Sequence, residues 1–430
     1  RAMARASLPP SFRRIRAAAS KQSPTISLGQ LLRTTGADHE SRVRQALWLR
    51  EHIPVRFARR LDEFFQLPHV VVSNPHINRV MSTYLETFER VSDFPAIRTD
   101  EDEAGFCELI RDQLQKHQTG TELIAEGYRE VRQEYPRIRL DEFLDNFFVS
   151  RISTRVLLDN YVVMRNPQPG YLGVVRQGMR TIDVVKGLES LLTNLTKNVY
   201  GETPEVKYRG NINCELDYIP RHVNFMVREL LKNALRATVE RHRNSGGSWG
   251  DSLGRRFGGA DAARPSRMPP VSVELQKGDV HVIIKISDQG GGMPKAVQRQ
   301  AWQYGWSTCA EDDEAEEALS TTSSGHSAGD AVAPSGPGRA QSRRQKRELA
   351  GYGFGLPLTR LHAQYFGGDV FMQALPGHGT DMYLLLTHLK EGAPSTESDD
   401  LASMLTSGEN VGRPPLIRNL TSLSDPTEAE

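Results

Sequence analysis

Apolar residues follow a helical spacing from residue 40 to about residue 165. They recur at intervals of three and four residues, which is the repeat of one buried face of an α-helix. Four long helices with short links favour an antiparallel bundle, and we assign it residues 38–200. The predicted helical segments are 41–66, 76–92, 104–133 and 139–164.

The pattern changes after residue 205, where apolar and polar residues alternate in short runs. A period of two is typical of strands that bury one face. The strands are predicted to begin at residue 206 and to cover 271–276, 280–287, 369–374 and 381–388. A helix at 220–241 is opened by Pro220, a favourable first helical residue. Strands grouped in hairpins beside helices predict a second domain at 201–390, and a two-domain α+β protein.

The first 37 residues differ from the rest of the chain in charge. No acidic residue precedes Asp38, whereas seven basic residues do, and residues 11–19 can form a basic amphipathic helix. This composition is typical of a mitochondrial transit peptide. A basic tail without structure is the alternative.

Three other segments have the composition of loops. Residues 243–269 are rich in Gly, Ser and Arg, residues 310–347 run from an acidic start to a basic end, and residues 391–430 are polar. Such segments contain too little apolar surface to form a core. We therefore predict two inserts within the second domain and a polar tail after it.

Bulk composition excludes several classes of protein. A chain of 430 residues is long enough for two domains, and its net charge of +1 favours neither nucleic acid nor an anionic membrane as a partner. It has no run of roughly 18 apolar residues, so no membrane span is expected. The three cysteines, Cys107, Cys214 and Cys309, are odd in number and far apart, which suits a reducing compartment.

The helix at 220–241 carries the first candidate site. Glu229, Lys232, Asn233 and Arg236 fall at three- and four-residue spacing and therefore share a helix face. The Asn carbonyl is a hard oxygen ligand that suits Mg²⁺ when phosphates and water complete the shell. Taken alone, this face is more often only a solvated, salt-bridged surface.

Two further candidate sites follow predicted strands. Asp288 ends an apolar strand and precedes Gly290, Gly291 and Gly292. These glycines allow a ligand to approach the backbone, and the carboxylate can accept a hydrogen bond from an amino group such as that of adenine. The fourth site in chain order, Gly377 to Thr380, lies between two strands. Taken separately, both fit ordinary tight turns.

The third site in chain order is a glycine-rich loop, Gly351-Tyr-Gly353-Phe354-Gly355-Leu356-Pro357, before an apolar helix. Its backbone N–H groups and the positive end of the helix make an anion site. It is neither a Walker A motif, because no Gly-Lys-Ser/Thr follows, nor a Rossmann turn, because no apolar strand precedes it. Ser307 and Thr308 are additional candidates for phosphate contacts.

These four sites, in this order, resemble the GHKL ATPases: gyrase, heat-shock chaperone, histidine kinase and mismatch-repair ATPase. The resemblance implies a Bergerat-type α/β sandwich that binds ATP, and it places the insert at 310–347 where that family has its mobile ATP lid. The ATP-binding positions it implies are Lys232, Asn233, Arg236, Ala237, Asp288, Gly290, Gly292, Ser307, Thr308, Gly351, Gly353, Phe354, Gly355, Leu356 and Thr380.

The wider chain is similar to the mitochondrial 2-oxoacid dehydrogenase kinases, over about residues 40–390 without the inserts. The characteristic blocks are Ile53–Ala58, residues 145–157, Glu229–Glu240 and Gly351–Pro357. Residues 84–130 look closer to the branched-chain than to the pyruvate enzyme, notably in Ser92–Pro95, Asp102–Ala104 and Leu123–Gly127.

The resemblance implies transfer of the ATP γ-phosphate to serine on the α subunit of the decarboxylating component, which switches the complex off. It assigns Glu229 to accept the serine proton, Asn233 to hold Mg²⁺ and Asp288 to read adenine, with Gly351 to Leu356 around the phosphates. Lys232 and Arg236 would contribute charge. It also implies a mitochondrial-matrix location, a homodimer formed through the ATPase domain, and docking of a lipoyl domain of the complex on the helical domain.

One position departs from this family pattern. Many pyruvate dehydrogenase kinases carry a His one helical turn before the Glu, where it can tune the base. Phe225 occupies that position here, and His222 lies two turns away from Glu229. Two other functions remain open. A histidine kinase would use a His such as His39, which lacks the usual following Pro, and a non-kinase ATPase would use the ATP site alone.

Overall fold

The computed structural model describes residues 10–22, 24, 28–33, 38–244, 268–307, 349 and 351–389. They belong to two compact units, one up to Gln177 and one from Gly178 onwards, with Tyr365–Gly367 grouped with the first. Most of the predicted inserts at 243–269 and 310–347, the tail at 391–430 and the candidate Thr308 lie outside the described residues.

The first unit is helical, as the apolar spacing predicts. Its helices are α1 (Pro10–Ala19), α2 (Leu28–Arg33), α3 (His39–Gln66), α4 (His69–Val72), α5 (Pro75–Ser92), α6 (Asp100–Lys116), α7 (Gly120–Glu134) and α8 (Asp141–Met164). Polar residues begin several of them: Asp38 accepts a hydrogen bond from the Ser41 N–H at 2.8 Å, and Thr99 and Asp102 form a capping box. Such caps satisfy N–H groups that have no partner inside the helix.

The prediction of one helix across 104–133 is wrong. The chain leaves helix α6 at His117 and enters α7 at Gly120. The His117 ring is buried and its Nε2 lies 2.9 Å from the Thr87 hydroxyl, and Arg151 donates a hydrogen bond to the His117 carbonyl. Apolar spacing continues through both helices because both pack on one core, so periodicity alone does not show the break.

Two stretches used for the family resemblance meet inside this unit. Arg56 of α3 is buried and donates from Nη1 to the Ser153 hydroxyl of α8 at 2.9 Å. Burial lowers the pKa of Arg56 to about 10. Elsewhere in this unit, the fully buried Glu103 accepts hydrogen bonds from the Tyr161 hydroxyl at 2.6 Å and from Arg165 Nε at 2.8 Å. The helical unit thus buries charged side chains that hydrogen-bond to side chains distant in sequence.

The basic helix predicted at 11–19 is present as α1 and packs on α3. Ile15 is buried, and the Phe12 ring lies 4.8 Å from the Phe65 ring. Arg14 pairs with Asp93 at the end of α5. The helix therefore has one apolar side against the bundle and a basic side outside it. The transit-peptide interpretation of this segment remains a prediction.

The boundary between the units falls within strand β2. Strands β1 (Tyr171–Leu172) and β2 (Val175–Arg180) form an antiparallel hairpin, and helix α9 (Thr181–Tyr200) follows in the second unit. Helix α9 packs along α10 (Pro220–Asn244). The sequence placed the division after residue 200, whereas α9 belongs with the second unit because its apolar positions are buried against that unit.

The second unit is built on a mixed five-stranded sheet. Its strands are β3 (Val206–Gly210), β5 (Val271–Lys277), β6 (His281–Ser287), β8 (Gly379–Thr387) and β7 (Asp369–Leu375), in that order across the sheet. Strand β3 is parallel to β5 and the other pairs are antiparallel. A short strand, β4 (Glu215–Tyr218), and helices α11 (Lys295–Gln300) and α12 (Gly355–Tyr365) complete the described part.

Alternation of burial explains the sheet. In β6 and β8 every second residue is buried, including Val282, Ile284, Ile286, Leu384 and Leu386, and α10 packs against β5 and β6. The predicted α+β architecture, a helical bundle followed by an α/β sandwich, is confirmed. Within the described ranges, no helix is long and apolar enough to cross a membrane.

Candidate active site

Helix α10 presents the first predicted site as an ion pair. Its apolar residues Leu230, Leu231, Ala234 and Leu235 are buried. Lys232 is also buried, at 5% exposure, and its Nζ lies 3.0 Å and 2.7 Å from the two carboxylate oxygens of Glu229. A buried ammonium group needs such a partner. Lys232 therefore holds the Glu229 carboxylate in one orientation.

The glycine-rich loop lies directly against this ion pair. A methyl group added at Gly355 would lie 2.2 Å from Glu229 Oε2, and one added at Gly351 would lie 3.5 Å from Lys232 Nζ. Gly355 is the first residue of α12, so the N–H end of that helix, with its positive partial charge, borders the carboxylate. The structure thus brings together two motifs that are more than 100 residues apart in sequence.

The loop is fixed by one buried aromatic residue. Phe354 is 3% exposed and its ring lies 5.1 Å from the Tyr304 ring. Gly353 has a φ of +75° and fits tightly beside the Trp306 carbonyl. Phe354 therefore anchors the loop from inside, and Leu356 is half-buried next to it. The Phe354 side chain is therefore not available to contact a ligand.

The second and fourth motifs form one structural unit. Asp288 Oδ1 accepts hydrogen bonds from the Gly290 N–H at 2.8 Å and from the Thr380 N–H at 3.3 Å, and the Asp288 N–H donates to the Thr380 carbonyl. Burial raises the pKa of Asp288 to about 6, although both N–H groups oppose the shift. The carboxyl group is thus held by backbone groups, without a basic side chain among the groups that shift its pKa.

Glycines are required where these strands approach helix α10 and each other. A methyl group at Gly290 would lie 2.5 Å from Ala237 Cβ, and one at Gly379 would lie 2.0 Å from the Asp288 carbonyl oxygen. Gly292 has a φ of +60°. Close packing therefore accounts for Gly290 and Gly379, and both backbone conformation and close packing account for Gly292. The small residue Ala237 is the matching surface on the helix.

Arg241 is a site residue that the sequence reasoning missed. Its Nη2 donates to the Gly377 carbonyl at 2.7 Å, and its Nη1 lies where a side chain at Gly291 would be. This hydrogen bond thus connects α10 to the turn at Gly377, which belongs to the fourth motif. Its position one helical turn after Ala237 was the signal available in the sequence.

The remaining predicted residues occupy less defined positions. Asn233 and Ser307 are half-buried, and Arg236 Nε lies 3.6 Å from Glu240 Oε1, an ion pair along the helix. No group of three or more His, Cys, Asp or Glu within the described residues could hold a metal ion. A cation at this site would need oxygen atoms from Asn233 and from a bound polyphosphate, which fits the glycine-lined space beside α10.

Comparison with known proteins gives two family matches along the chain. Residues 25–176 match the family described as mitochondrial branched-chain alpha-ketoacid dehydrogenase kinase, and residues 218–390 match the histidine kinase-, DNA gyrase B- and HSP90-like ATPase family. The mitochondrial pyruvate dehydrogenase (acetyl-transferring) kinase of Arabidopsis thaliana is 31% identical over 349 residues, which cover 80% of this chain and 84% of the relative.

Two other relatives carry the same name. Isozyme 4 of Mus musculus is 28% identical over 86% of this chain and 82% of its own length. The enzyme of Schizosaccharomyces pombe is 31% identical over 67% of this chain and 60% of its own length. The two family matches fall in the helical and the ATPase units, respectively. The chain therefore belongs to the family of mitochondrial 2-oxoacid dehydrogenase kinases, and it is a protein kinase with a GHKL ATP-binding domain.

Proposed function

We propose that this kinase works in the mitochondrial matrix and phosphorylates a serine on the α subunit of the decarboxylating component of a 2-oxoacid dehydrogenase complex, which inactivates the complex. The observation that carries the proposal is the Glu229 carboxylate, placed between Lys232 Nζ and the first residue of α12, Gly355. A carboxylate beside a phosphate-binding loop is positioned to accept the proton of an attacking hydroxyl.

The residues around Glu229 divide the chemistry between them. Glu229 takes the serine proton while the serine oxygen bonds to the γ-phosphorus of ATP, and the bond from that phosphorus to the bridging oxygen breaks and releases ADP. The N–H end of α12 and the Lys232 ammonium face the negative charge of the transferred group, and preorganised donors of this kind supply most of the rate in phosphoryl transfer. Asn233 would hold Mg²⁺, which neutralises phosphate charge when it is bound.

Asp288 is proposed to select adenine. Its carboxylate is buried and held by two backbone N–H groups, so it can accept a hydrogen bond from the adenine amino group without rotating. Because its pKa is about 6, we expect the affinity for ADP to fall as the pH decreases below that value. Calorimetric titration of ADP at pH 7.5 and pH 5.5 measures this, and Asp288→Asn should lose the pH dependence.

Two complexes are candidates for the substrate. The match of residues 25–176 to the branched-chain family favours the branched-chain complex, and Phe225 in place of the usual His agrees with it. The relatives are named pyruvate dehydrogenase kinases, which favours the pyruvate complex as the second candidate. We place the branched-chain complex first.

One experiment separates these substrates and tests the base. The kinase is incubated with labelled ATP and each purified complex, and label on each α subunit is measured. We expect label on serine of the branched-chain α subunit, a loss of about 100-fold or more in Glu229→Gln, and near-normal transfer in Glu240→Gln, which changes another Glu of α10. Label on neither complex, or unchanged transfer by Glu229→Gln, would contradict the proposal.

We also propose a homodimer formed through the sheet, and docking of a lipoyl domain on the helical unit. Strand β7 is an edge strand, and its residues Phe371 and Leu375 are 41% and 60% exposed, which suits burial by a partner sheet. Analytical ultracentrifugation should give a dimer for the wild type and a monomer for Phe371→Asp. Val280→Asp, at an exposed hairpin tip, is the matched control and should stay dimeric.

A histidine kinase remains the second function to test. His39 begins α3 and its Nδ1 lies 2.9 Å from Asp100 Oδ1, an arrangement that can orient an imidazole. Phosphohistidine is lost in acid, whereas phosphoserine is stable. Acid-labile label on the kinase that disappears in His39→Asn would favour this function over transfer to a partner serine.

A further inference from the structure

Two histidines join the helices that carry the base and the glycine-rich loop. His222 of α10 and His362 of α12 face each other with 2.7 Å between their Nδ1 atoms. His222 is buried, at 5% exposure, and the Phe225 ring packs on the His362 ring with 4.8 Å between centroids. Neither histidine belongs to the four motifs that identify the ATP site.

The histidine pair lies about two helical turns from the contact between Gly355 and Glu229 on both helices. His222 lies seven residues before Glu229, and His362 lies seven residues after Gly355. Gly355 contacts the Glu229 carboxylate, and His362 contacts His222. Because the residue number increases along α12 while it decreases along α10 between these two contacts, the two helices run in opposite directions. Seven residues span about 10 Å of helix. The histidine pair is thus the second point that fixes α12 relative to the base.

A contact between two imidazole nitrogens has a strict chemical requirement. One Nδ1 must carry a hydrogen and donate it, and the other must offer its lone pair. The two rings must therefore be in complementary tautomers, or share one extra proton. Two apolar rings of the same shape would pack here but would not make the bond.

We infer that His222 and His362 are positioning residues, whose N–H···N bond holds the glycine-rich loop in register with Glu229. The inference deepens the proposed function and rests on it, since it takes the loop as the phosphate site and Glu229 as the base. Such alignment matters because an error of about 1 Å in placing reacting groups can cost 100-fold in rate.

The main test replaces His362 in the full-length kinase in two ways. His362→Phe keeps an aromatic ring against Phe225 and removes the hydrogen bond, whereas His362→Asn places an amide near the Nδ1 position and can keep it. We expect His362→Phe to weaken ADP binding and raise the KM for ATP, each about tenfold, as for loss of one strong hydrogen bond. His362→Asn should stay within about twofold of the wild type.

His242→Phe provides the matched control. His242 is another buried histidine of α10, so its replacement measures the general effect of an altered α10 on thermal stability and ADP affinity. We expect His242→Phe to lower the Tm without changing the ADP affinity. Unchanged ADP binding by His362→Phe, an equal loss in His242→Phe, or failure of His362→Asn to restore binding would overturn the inference.

A measurement on the unchanged protein covers the case in which His362→Phe does not fold. In ¹⁵N-histidine-labelled kinase, Nδ1 and Nε2 chemical shifts report the tautomer of each ring. We expect one ring of the pair to be protonated at Nδ1 and the other at Nε2, and identical neutral tautomers would overturn the inference. ADP binding and tautomers are read without phosphate transfer, so failure of the wild type to label a complex would affect the proposed function alone.

Discussion

The buried carboxyl groups of Glu103 in the helical unit and of Asp288 in the ATPase unit are satisfied in different ways. In the helical unit, Glu103 is buried beside the side chains of Tyr161 and Arg165, which are 58 and 62 residues away in sequence. In the ATPase unit, Asp288 is satisfied by the backbone N–H groups of Gly290 and Thr380. The first solution needs distant side chains of the right charge, and the second needs glycine and a tight approach of backbone.

This difference explains why the surroundings of Asp288 are easy to find in a sequence and those of Glu103 are not. A site made from backbone groups leaves short glycine-rich motifs, because a side chain would block the ligand or the neighbouring strand. A network of buried side chains appears in the sequence only as isolated polar residues, which cannot be distinguished there from polar residues of the surface. The surroundings of Asp288 are therefore recognised from their sequence motif, whereas the pairing of Glu103 is visible only in the structure.

The largest effect on stability is expected from Glu103→Ala. The change removes the carboxylate that accepts hydrogen bonds from the Tyr161 hydroxyl and from Arg165 Nε, while Arg165 keeps its longer contact with Asp100. Two hydrogen bonds to a charged group together contribute about 3–5 kcal/mol. Urea unfolding of Glu103→Ala and of the control variant named below measures the free energy of unfolding. Glu108→Ala is the control, since Glu108 is 69% exposed in its pair with Arg111. Similar losses in both variants would contradict the importance of burial.

Ile15→Ala should have the next largest effect, about 2–4 kcal/mol, because it leaves a cavity between α1 and the bundle. Arg14→Ala should change the Tm very little, since the partner of Arg14, Asp93, is 60% exposed and surface ion pairs contribute little. This pair of variants shows whether α1 is held by apolar contact or by charge. A larger Tm loss in Arg14→Ala than in Ile15→Ala would favour charge.

Gly355→Ala should reduce phosphate transfer about 100-fold with little change in Tm. The added methyl group meets Glu229 Oε2, the end of a flexible side chain that can move away. Gly290→Ala should instead lower the Tm strongly, because its methyl group would lie 2.8 Å from the Ala237 carbonyl carbon, which is helix backbone. If Gly355→Ala transferred phosphate normally, the placement of Glu229 would not matter for the rate.

The smallest effect concerns the pH dependence of stability. Burial raises the pKa of Glu63 to about 7 despite the pairing with Arg60, and the charges of Asp62 and Glu142 add to the shift. The folded protein then binds a proton that the unfolded chain has released above about pH 4.5, so this contribution to stability is lost as the pH rises towards 7. Glu63→Gln should gain about 2 kcal/mol relative to the wild type between pH 5 and pH 7.5.

The control for this measurement is Glu40→Gln, because Glu40 is 81% exposed. In the wild type and in Glu63→Gln alike, His117 changes the free energy of unfolding with pH in the opposite direction to Glu63. Burial lowers its pKa to about 3, so its contribution is full above pH 6.5 and is lost as the pH falls. The difference between Glu63→Gln and wild type removes this background. A flat difference across the pH range would show that Glu63 is already charged in the folded protein.

Sequence periodicity predicted most elements but failed where tertiary packing decided the outcome. The strands at β5, β6, β7 and β8 were predicted because alternation of burial follows directly from the pleat. The break at His117 was missed because the residues on both sides face one core. Helix α9 was missed because its role, packing along α10, depends on a neighbour that lies later in the chain.

The sequence by itself determined which chemistry the site can perform. Glu229, Lys232 and Asn233 lie on one helix, and the glycines needed for close backbone approach occur as short motifs in the sequence. Only the tertiary structure decided how they are combined: Gly355 against Glu229, Ala237 against Gly290, and His222 against His362, 140 residues away. Local spacing fixes which residues share a face, but contacts between distant segments depend on the packing of the whole sheet and its helices.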